Sequence, residues 1–519
     1  MFLKEILEGA DAWYLRGTKE TVIVGITADS RCVTPGMAFF CLKGTTHDGA
    51  DHVGEATERG AAALIFEAEG GEGLWKERGQ SYEAFEAGLG ARERNILASA
   101  PGEVTIVCVE DARKAFALAC DAWYGHPSRE LVTIGVTGTK GKTTTTYLIK
   151  SILENAGRRV GLIGTNEVIV GLKHYEAGNT TPDALQLQAY LRQMADAGAD
   201  TVVMEVSSQA IKLKRTDGIL FDYGIFTNLS PDHVAPGEHR DFQEYLECKR
   251  ELFRRCRIGI VNGDDPYLER ITEGHSCLLE TYGLGEECML RAGNVSRILD
   301  GGKPGVEFAV TGQMEFEARI PMPGMFSVYN ALAAISLCRH FHVRESDIQR
   351  SLLAAKVKGR VELAMARDGY AIYIDYAHNP AALASLLDTL REYRPRRLIC
   401  VFGCGGDRPV MRRRLMGRIS GEKADLTIVT DDNPRSEDPG LIREQVVWGV
   451  REAEGAFVII PGRREAIRYA LSAARSGDMI VLAGKGHETY QEIQGVKYPL
   501  DERTILRELE KETCNTQMS

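Results

Sequence analysis

The chain has no apolar run long enough to cross a membrane. Its most apolar stretches, Leu398–Cys404 and Asp478–Gly484, fall far short of the roughly 20 residues a spanning helix needs. It has no excess of positive charge: 63 Lys and Arg stand against 73 Asp and Glu, a net charge of −10. That argues against a dedicated nucleic-acid or acidic-membrane binder. It leaves room for a local site that handles anionic small molecules. None of its 12 cysteines forms a CxxC pair. A structural zinc site is therefore not expected, and reduced, mostly buried thiols of a cytoplasmic protein are. The opening residues MFLKEILEGADAWYLRGTKE carry acids early and no apolar segment followed by small residues, unlike a signal peptide. No internal repeat stands out.

What is present is an ordinary globular balance, 44% apolar and 26% charged over 519 residues, enough for three or four domains. Short β-branched runs alternate with helical periodicity. The runs are Leu131–Val136, Thr201–Val206, Tyr223–Thr227, Arg257–Val261, Ala371–Asp375, Leu398–Phe402, Leu426–Thr430, Phe457–Ile460 and Met479–Ala483. Each is nearly all apolar, as expected of strands buried on both faces. Helical stretches such as Thr143–Asn155, Ala184–Ala197, Asp241–Arg254, Ala331–His340, Ala381–Tyr393 and Arg463–Arg475 lie between them. The fold class is therefore α/β, with parallel sheets joined by right-handed crossovers. Breaks at Tyr124–Ser128 and Lys358–Arg360 divide the chain into 1–128, 129–358 and 359–519. Glu67–Pro101, rich in Gly, Glu and Ala, reads as a solvated insertion or a helical excursion.

Nearly all site-like residues directly follow an apolar run, and in open α/β sheets ligands bind at that strand edge. The sharpest motif is GVTGTKGKTTTT, Gly135–Thr146. A buried strand feeds a Gly-rich loop that opens a helix, so backbone N–H groups can cradle phosphate. Lys142 is placed to reach the β- and γ-phosphates and the Thr143 hydroxyl to ligand Mg²⁺. The standard spacing fails, because Val136 stands where the first Gly belongs. Glu205 ends another buried run, where a carboxylate is costly unless paired or bound to a cation.

The stretch Gly138-Thr-Lys-Gly-Lys-Thr-Thr144 resembles the ATP loop of the Mur ligase family, the ATP-dependent amide-forming enzymes of peptidoglycan synthesis, and the resemblance covers almost the whole chain. It implies a uridine-nucleotide domain at residues 1–128, with Ser30 and Arg31 near the uracil nucleotide. It implies a central P-loop-type ATP domain and a C-terminal doubly wound, Rossmann-like domain that takes the amino acid. By this resemblance Gly138, Thr139, Lys140, Gly141, Lys142, Thr143 and Thr144 bind ATP. Asn330 meets the adenine, Arg360 and His378 face phosphates, and Asp375 faces the ribose. Thr180, Thr181, Ser207 and Arg215 hold the sugar–peptide. Glu205 becomes a ligand of one Mg²⁺ and His233 of a second, and Lys249 is the lysine that reacts with CO₂ to form a carbamate. Lys142, Glu205, His233 and Lys249 are the implied catalytic set, and Thr143, Glu205, His233 and carbamylated Lys249 the implied metal set.

Three further strand ends carry GCGGDR, TDDNPR and GKGHE. An amino acid's carboxylate suits Arg435 or Arg408 through bidentate hydrogen bonds, and its second ammonium suits Glu488 or Asp432. Within the family, DNPR resembles the signature of enzymes that add meso-diaminopimelate, which implies Arg435 with Arg408, Asn433, Gly484 and Glu488 as partners. The implied reaction joins that amino acid to UDP-N-acetylmuramoyl-L-Ala-D-Glu through an acyl phosphate, in a cytoplasmic monomer without nucleic-acid or membrane partners. The chain departs from the family pattern at Gln209 (usually His), at Leu213 (usually Gln), at Ser327 (usually Asn), in the segment 232–239 and at Pro409. Gln209 and the Val234–His239 loop motivate the alternative, a divergent ligase adding L-lysine or another amino acid to a UDP-linked or other peptide. A nucleotide-binding regulator that has lost chemistry is the reading from another class.

Overall fold

The structure, a computed structural model, describes residues 1–44, 47–67, 90–231, 238–300, 303–367 and 369–518. Contacts divide it into two compact units: Met1–Lys142 with Gly157–Thr281, and Thr143–Ala156 with Tyr282–Ser519.

The first unit holds two sheets. One comprises β1 (Ala12–Arg16), β2 (Gly25–Thr27), β3 (Met37–Cys41), β4 (Ala63–Glu67) and β5 (Thr105–Val109), in the order β1-β5-β4-β3-β2. Only β1 runs antiparallel to its neighbour. The other comprises β6 (Val132–Thr137), β7 (Val160–Ile163), β8 (Glu167–Val170), β9 (Lys173–Glu176), β10 (Thr201–Glu205), β11 (Phe221–Phe226) and β12 (Cys256–Asn262). Its order is β12-β11-β6-β10-β7-β8-β9. From β12 to β7 every pairing is parallel. The short strands β8 and β9 add an antiparallel edge that the sequence reading lacks.

Val202, Met204, Phe221, Phe226, Leu191, Met194, Leu246 and Phe253 form one apolar core between this sheet and its helices. Each such side chain stabilises the fold by about 1.5–3 kcal/mol relative to exposure. The strands therefore end where polar chemistry begins. Register places Glu205 beside Val136 and Phe226 beside Thr137, so the ends of β10, β6 and β11 lie side by side.

The second unit takes in Tyr282 and Gly283, the last two residues of β13 (Leu278–Gly283), which pair with Leu290 and Arg291. An antiparallel series follows: β14 (Leu290–Asp300), β15 (Lys303–Gly312) and β16 (Phe316–Ile320). No apolar run announced these strands, because their exposed face is polar. The last sheet contains β17 (Glu362–Arg367), β18 (Tyr370–Asp375), β19 (Leu398–Phe402), β20 (Leu426–Val429), β21 (Phe457–Ile459) and β22 (Met479–Ala483), ordered β17-β18-β22-β19-β20-β21. All pairings are parallel except β17 with β18. The doubly wound expectation is met here. The hairpin β23 (Tyr490–Ile493) and β24 (Val496–Pro499) closes the chain before the helix Glu502–Met518.

One ion pair braces this sheet. Arg463 is 2% exposed and Glu502 1%. Arg463 Nε and Nη2 donate to Glu502 Oε1 at 2.9 and 2.7 Å, and Nη2 also to the carbonyl of Ala483, the last residue of β22, at 2.8 Å. Removing one partner strands a buried charge. Glu502→Ala is expected to cost about 3–5 kcal/mol, whereas a double change to apolar residues of similar volume costs much less. Urea midpoints of the two variants measure the difference, and equal losses would refute this role.

Candidate active site

The Gly-rich loop that follows β6 is held from below. Gly138 has φ +146°, and a Cβ there would overlap the Thr227 hydroxyl. Only glycine lets the loop come this close to the end of β11. The Thr227 hydroxyl donates to the Lys140 carbonyl at 2.6 Å, and the Asn228 side-chain oxygen accepts from Lys140 N at 3.0 Å. Buried Thr139 meets the Tyr245 hydroxyl at 3.0 Å. Lys142 Nζ donates to the carbonyls of Gly138 and Thr139 at 2.9 and 3.1 Å. The lysine thus arches over its own loop. Gly141 also has positive φ, +86°.

Beside the loop opens a cavity of about 230 Å³ lined by Lys142, Asn179, Thr180, Thr181, Ser207, Ser208, Gln209, Arg215, Glu238, His239 and Lys249. Thr181 is its organiser. The Thr181 hydroxyl donates to the Glu205 carbonyl at 2.8 Å and accepts from Ser207 N at 3.1 Å, while its own carbonyl accepts from Arg215 Nη1 at 2.9 Å. Burial holds the Arg215 guanidinium below its ordinary value. The Glu205 carboxylate, 1% exposed, accepts from Thr165 N at 2.8 Å and from the Thr165 hydroxyl at 3.1 Å. Thr165 also meets the Thr180 hydroxyl at 3.0 Å.

Lys249 is 2% exposed, donates to the Gly138 carbonyl at 2.8 Å and lies 4.6 Å from the centre of the Tyr245 ring. A lysine on a mixed helix ordinarily keeps its head in water, and this one does not. His233 lies outside the described residues.

In the second unit, buried Thr143 and Thr144 open the helix Lys142–Asn155. Thr143 accepts from Arg360 Nη2 at 3.3 Å, and Asn330 Oδ1 accepts from the Thr145 hydroxyl at 3.3 Å. Asp375 accepts from Val361 N at 2.7 Å and Ala377 N at 2.8 Å, bracing the turn after β18.

Four adjacent strands of the last sheet, β18, β22, β19 and β20, end at one cavity of about 100 Å³. Its walls include Tyr376, His378, Gly403, Arg408, Arg412, Asp432, Asn433, Arg435, Gly484 and Glu488. All six amino-acid candidates are brought together there. His378, assigned to phosphate by resemblance, lines this cavity too. Gly484 has φ +106°, and a Cβ there would lie 2.6 Å from Asp432 Oδ2. Arg435 Nη1 donates to the Gly406 carbonyl at 2.9 Å, and Arg435 Nε lies 3.4 Å from Glu492 Oε2. Asn433 Nδ2 donates to Glu488 Oε2 at 2.9 Å.

Ser30 and Arg31 behave differently. The Ser30 hydroxyl donates to Glu55 Oε2 at 2.6 Å, and Arg31 pairs bidentately with Asp29 on an exposed surface.

Models of known families match three segments: "Mur ligase family, catalytic domain" over residues 22–114, "Mur ligase middle domain" over 136–338 and "Mur ligase, glutamate ligase domain" over 359–486. The chain belongs to the Mur ligase family. It is 38% identical over 512 residues to the UDP-N-acetylmuramoyl-L-alanyl-D-glutamate--2,6-diaminopimelate ligase of Caldanaerobacter subterraneus subsp. tengcongensis, covering 98% of this chain and 99% of that one. The enzyme of that name from Clostridium perfringens is 37% identical over 516 residues, with 98% and 99% covered. A solved structure with the same title aligns at TM-score 0.68 and 26% identity, covering 99% of both chains.

Four residues at these Mur ligase sites carry no assignment from the sequence: Thr165, His239, Tyr376 and Lys485. Thr165 follows β7, which was not recognised as a strand. His239 is 1% exposed, with Nε2 2.9 Å from the Ser208 hydroxyl and its ring against Tyr245. Lys485 sits between two glycines, where a lysine reads as a solvated turn. Tyr376 stacks near both His378 and His487, with ring centres 4.6 and 4.9 Å away.

Burial, and then Arg360, Lys358 and Arg503, push His487 down to about 3. Its unfolded value is about 6.5. The folded state therefore resists protonation that the unfolded state accepts. Stability is complete above about pH 6.5 and is lost as pH falls toward 3. The expected result is that His487→Gln loses less melting temperature than wild type between pH 7.5 and 5, by several degrees. Parallel pH profiles would rule this out.

Proposed function

We propose that this Mur ligase family member is an ATP-dependent amide ligase that joins meso-diaminopimelate to UDP-N-acetylmuramoyl-L-Ala-D-Glu, in cytoplasmic peptidoglycan precursor synthesis. The observation that carries the reading is the convergence of Arg408, Arg435, Asn433, Asp432 and Glu488 on one cavity. That pairing of guanidinium and carboxylate groups matches a substrate with both carboxylates and ammoniums. The names of the aligned relatives support it. The three family matches support division at 128 and 358.

In this reading the phosphate loop positions ATP by its backbone N–H groups, and Lys142 turns from its own carbonyls toward the β- and γ-phosphates. A carboxylate oxygen of the terminal D-Glu attacks the γ-phosphorus and ADP leaves, giving an acyl phosphate. The amine then attacks the acyl carbon, and phosphate departs with the bonding electrons while the nitrogen gives up a proton. Thr181 and Arg215 hold the sugar–peptide, and Arg360 faces the nucleotide beside Thr143. The chemistry is mostly positioning and charge neutralisation. Buried Glu205 would offer a hard oxygen donor of the kind that Mg²⁺ prefers, and bound Mg²⁺ would supply charge neutralisation. His233 and a carbamate on Lys249 would hold a second ion. Carbamylation would replace the donor that now meets Gly138 with acceptor oxygens.

The deciding experiment is phosphate release with ATP, Mg²⁺ and UDP-N-acetylmuramoyl-L-Ala-D-Glu, run with meso-diaminopimelate, with L-lysine and with neither. Release with diaminopimelate alone, and a tripeptide product by mass, is the expected outcome. Release with L-lysine alone keeps the ligase and removes the specificity. Gln209 on the wall of the larger cavity favours a second reading, a ligase for a different peptide, and silence with both amino acids would turn attention there.

A further inference from the structure

We propose that Lys485 is a positioning residue of the amino-acid subsite: it orients Asn433 and Glu488 and sets the subsite's charge, so that a substrate ammonium is taken at one defined place. The proposal rests on the ligase reading above and deepens it.

Lys485 follows Gly484 at the end of β22, and its side chain is fully buried. A buried ammonium is costly unless it is paired and hydrogen-bonded. Here Nζ donates to Asn433 Oδ1 at 2.9 Å and to Glu488 Oε2 at 3.1 Å, and lies 3.7 Å from Asp432 Oδ1. The backbone N–H of Glu492 donates to the same Asn433 oxygen at 3.0 Å. Two donors on one oxygen settle which way the amide faces. Asn433 Nδ2 is therefore turned to Glu488 Oε2, at 2.9 Å. Glu488 Oε2 is thus held by both Lys485 and Asn433, and Glu488 lines the cavity in that fixed setting.

The charges follow the same logic. Asp432 and Glu488 face one small cavity, and two carboxylates there would repel each other. Lys485 cancels one of them, so these three groups together keep a single net negative charge for one ammonium, beside the arginines that line the rest of the cavity. Without Lys485 the Asn433 amide loses its strongest constraint and the two carboxylates lose their shared counter-charge. The substrate would then meet an unoriented, over-charged subsite, and precise positioning is what such a site supplies.

The test is steady-state phosphate release by the whole protein, with meso-diaminopimelate and then ATP varied while the other substrates, UDP-N-acetylmuramoyl-L-Ala-D-Glu among them, are saturating. Wild type is compared with Lys485→Met, Glu488→Gln and the double variant. Lys485→Met is expected to raise KM for diaminopimelate about 50-fold or more, with kcat and KM for ATP within about threefold of wild type. In the Glu488→Gln background the same change is expected to add less than about threefold, because its route is already gone. If Lys485→Met fails to fold, Lys485→Gln, which keeps a donor but not the charge, carries the same comparison. Parameters that all fall together, or effects that multiply independently, would make Lys485 merely structural and overturn the proposal. An active wild type with an unaltered Lys485 variant overturns this inference alone. A wild type inactive with diaminopimelate overturns the ligase reading and this inference with it.

Discussion

Lys142→Met is expected to lower phosphate release by about a thousandfold or more, with little change in melting temperature. Removing one preorganised donor from a developing charge typically costs two to three orders of magnitude, and here the donor is a full charge. The fold should not feel the loss. Lys142 is only half-buried, and two of its hydrogen bonds go to carbonyls of its own loop. Methionine retains most of the stem and removes only the head. Retained ATP affinity with lost turnover would place the lysine's work in the transition state, whereas a rise in KM alone would make it a binding residue. A fall of less than about tenfold would remove Lys142 from the chemistry, and with it the reading of the loop as an ATP loop.

The second large effect is expected at Arg435. Arg435→Ala should reduce kcat/KM for meso-diaminopimelate by about a thousandfold while KM for ATP stays within a few fold. A site built to hydrogen-bond a charged group discriminates strongly once that bond is gone, because the partner is left unpaired. Arg435→Lys is the sharper variant. It keeps the charge and loses the planar fork, so an intermediate loss of about a hundredfold is expected. The arginine has φ +50°, and its backbone N–H donates to the Glu492 carbonyl at 3.1 Å, so its stem is fixed before substrate arrives. The measurement is the ratio of turnover with meso-diaminopimelate to turnover with L-lysine. That ratio should collapse in both variants. An unchanged ratio would mean that Arg435 holds the hairpin β23–β24 and not the substrate.

The α/β class and most of the strands were legible from single residues. Runs such as Leu398–Phe402 and Met479–Ala483 are strands to the residue, because a strand buried on both faces has to be continuously apolar. The Gly-rich loop between β6 and its helix was legible because its glycines and lysine are adjacent in the chain. Asn433, Arg435, Gly484 and Glu488 were legible as candidates by their place at strand ends.

Other features needed the tertiary structure. The antiparallel strands β14–β16 have an exposed polar face and give no continuous apolar signal. Lys249 reads as a surface lysine, since its helix is polar around it, yet the sheet edge buries it against the carbonyl of Gly138. The sequence by itself determined the fold class, the Gly-rich loop that opens a helix and the set of strand-end residues, because those follow from local periodicity and adjacent side chains. Only the tertiary structure decided which polar groups are buried together, Glu205 with Thr165, Lys485 with Asn433 and Glu488, because burial and pairing depend on strands far apart in the chain arriving at one edge.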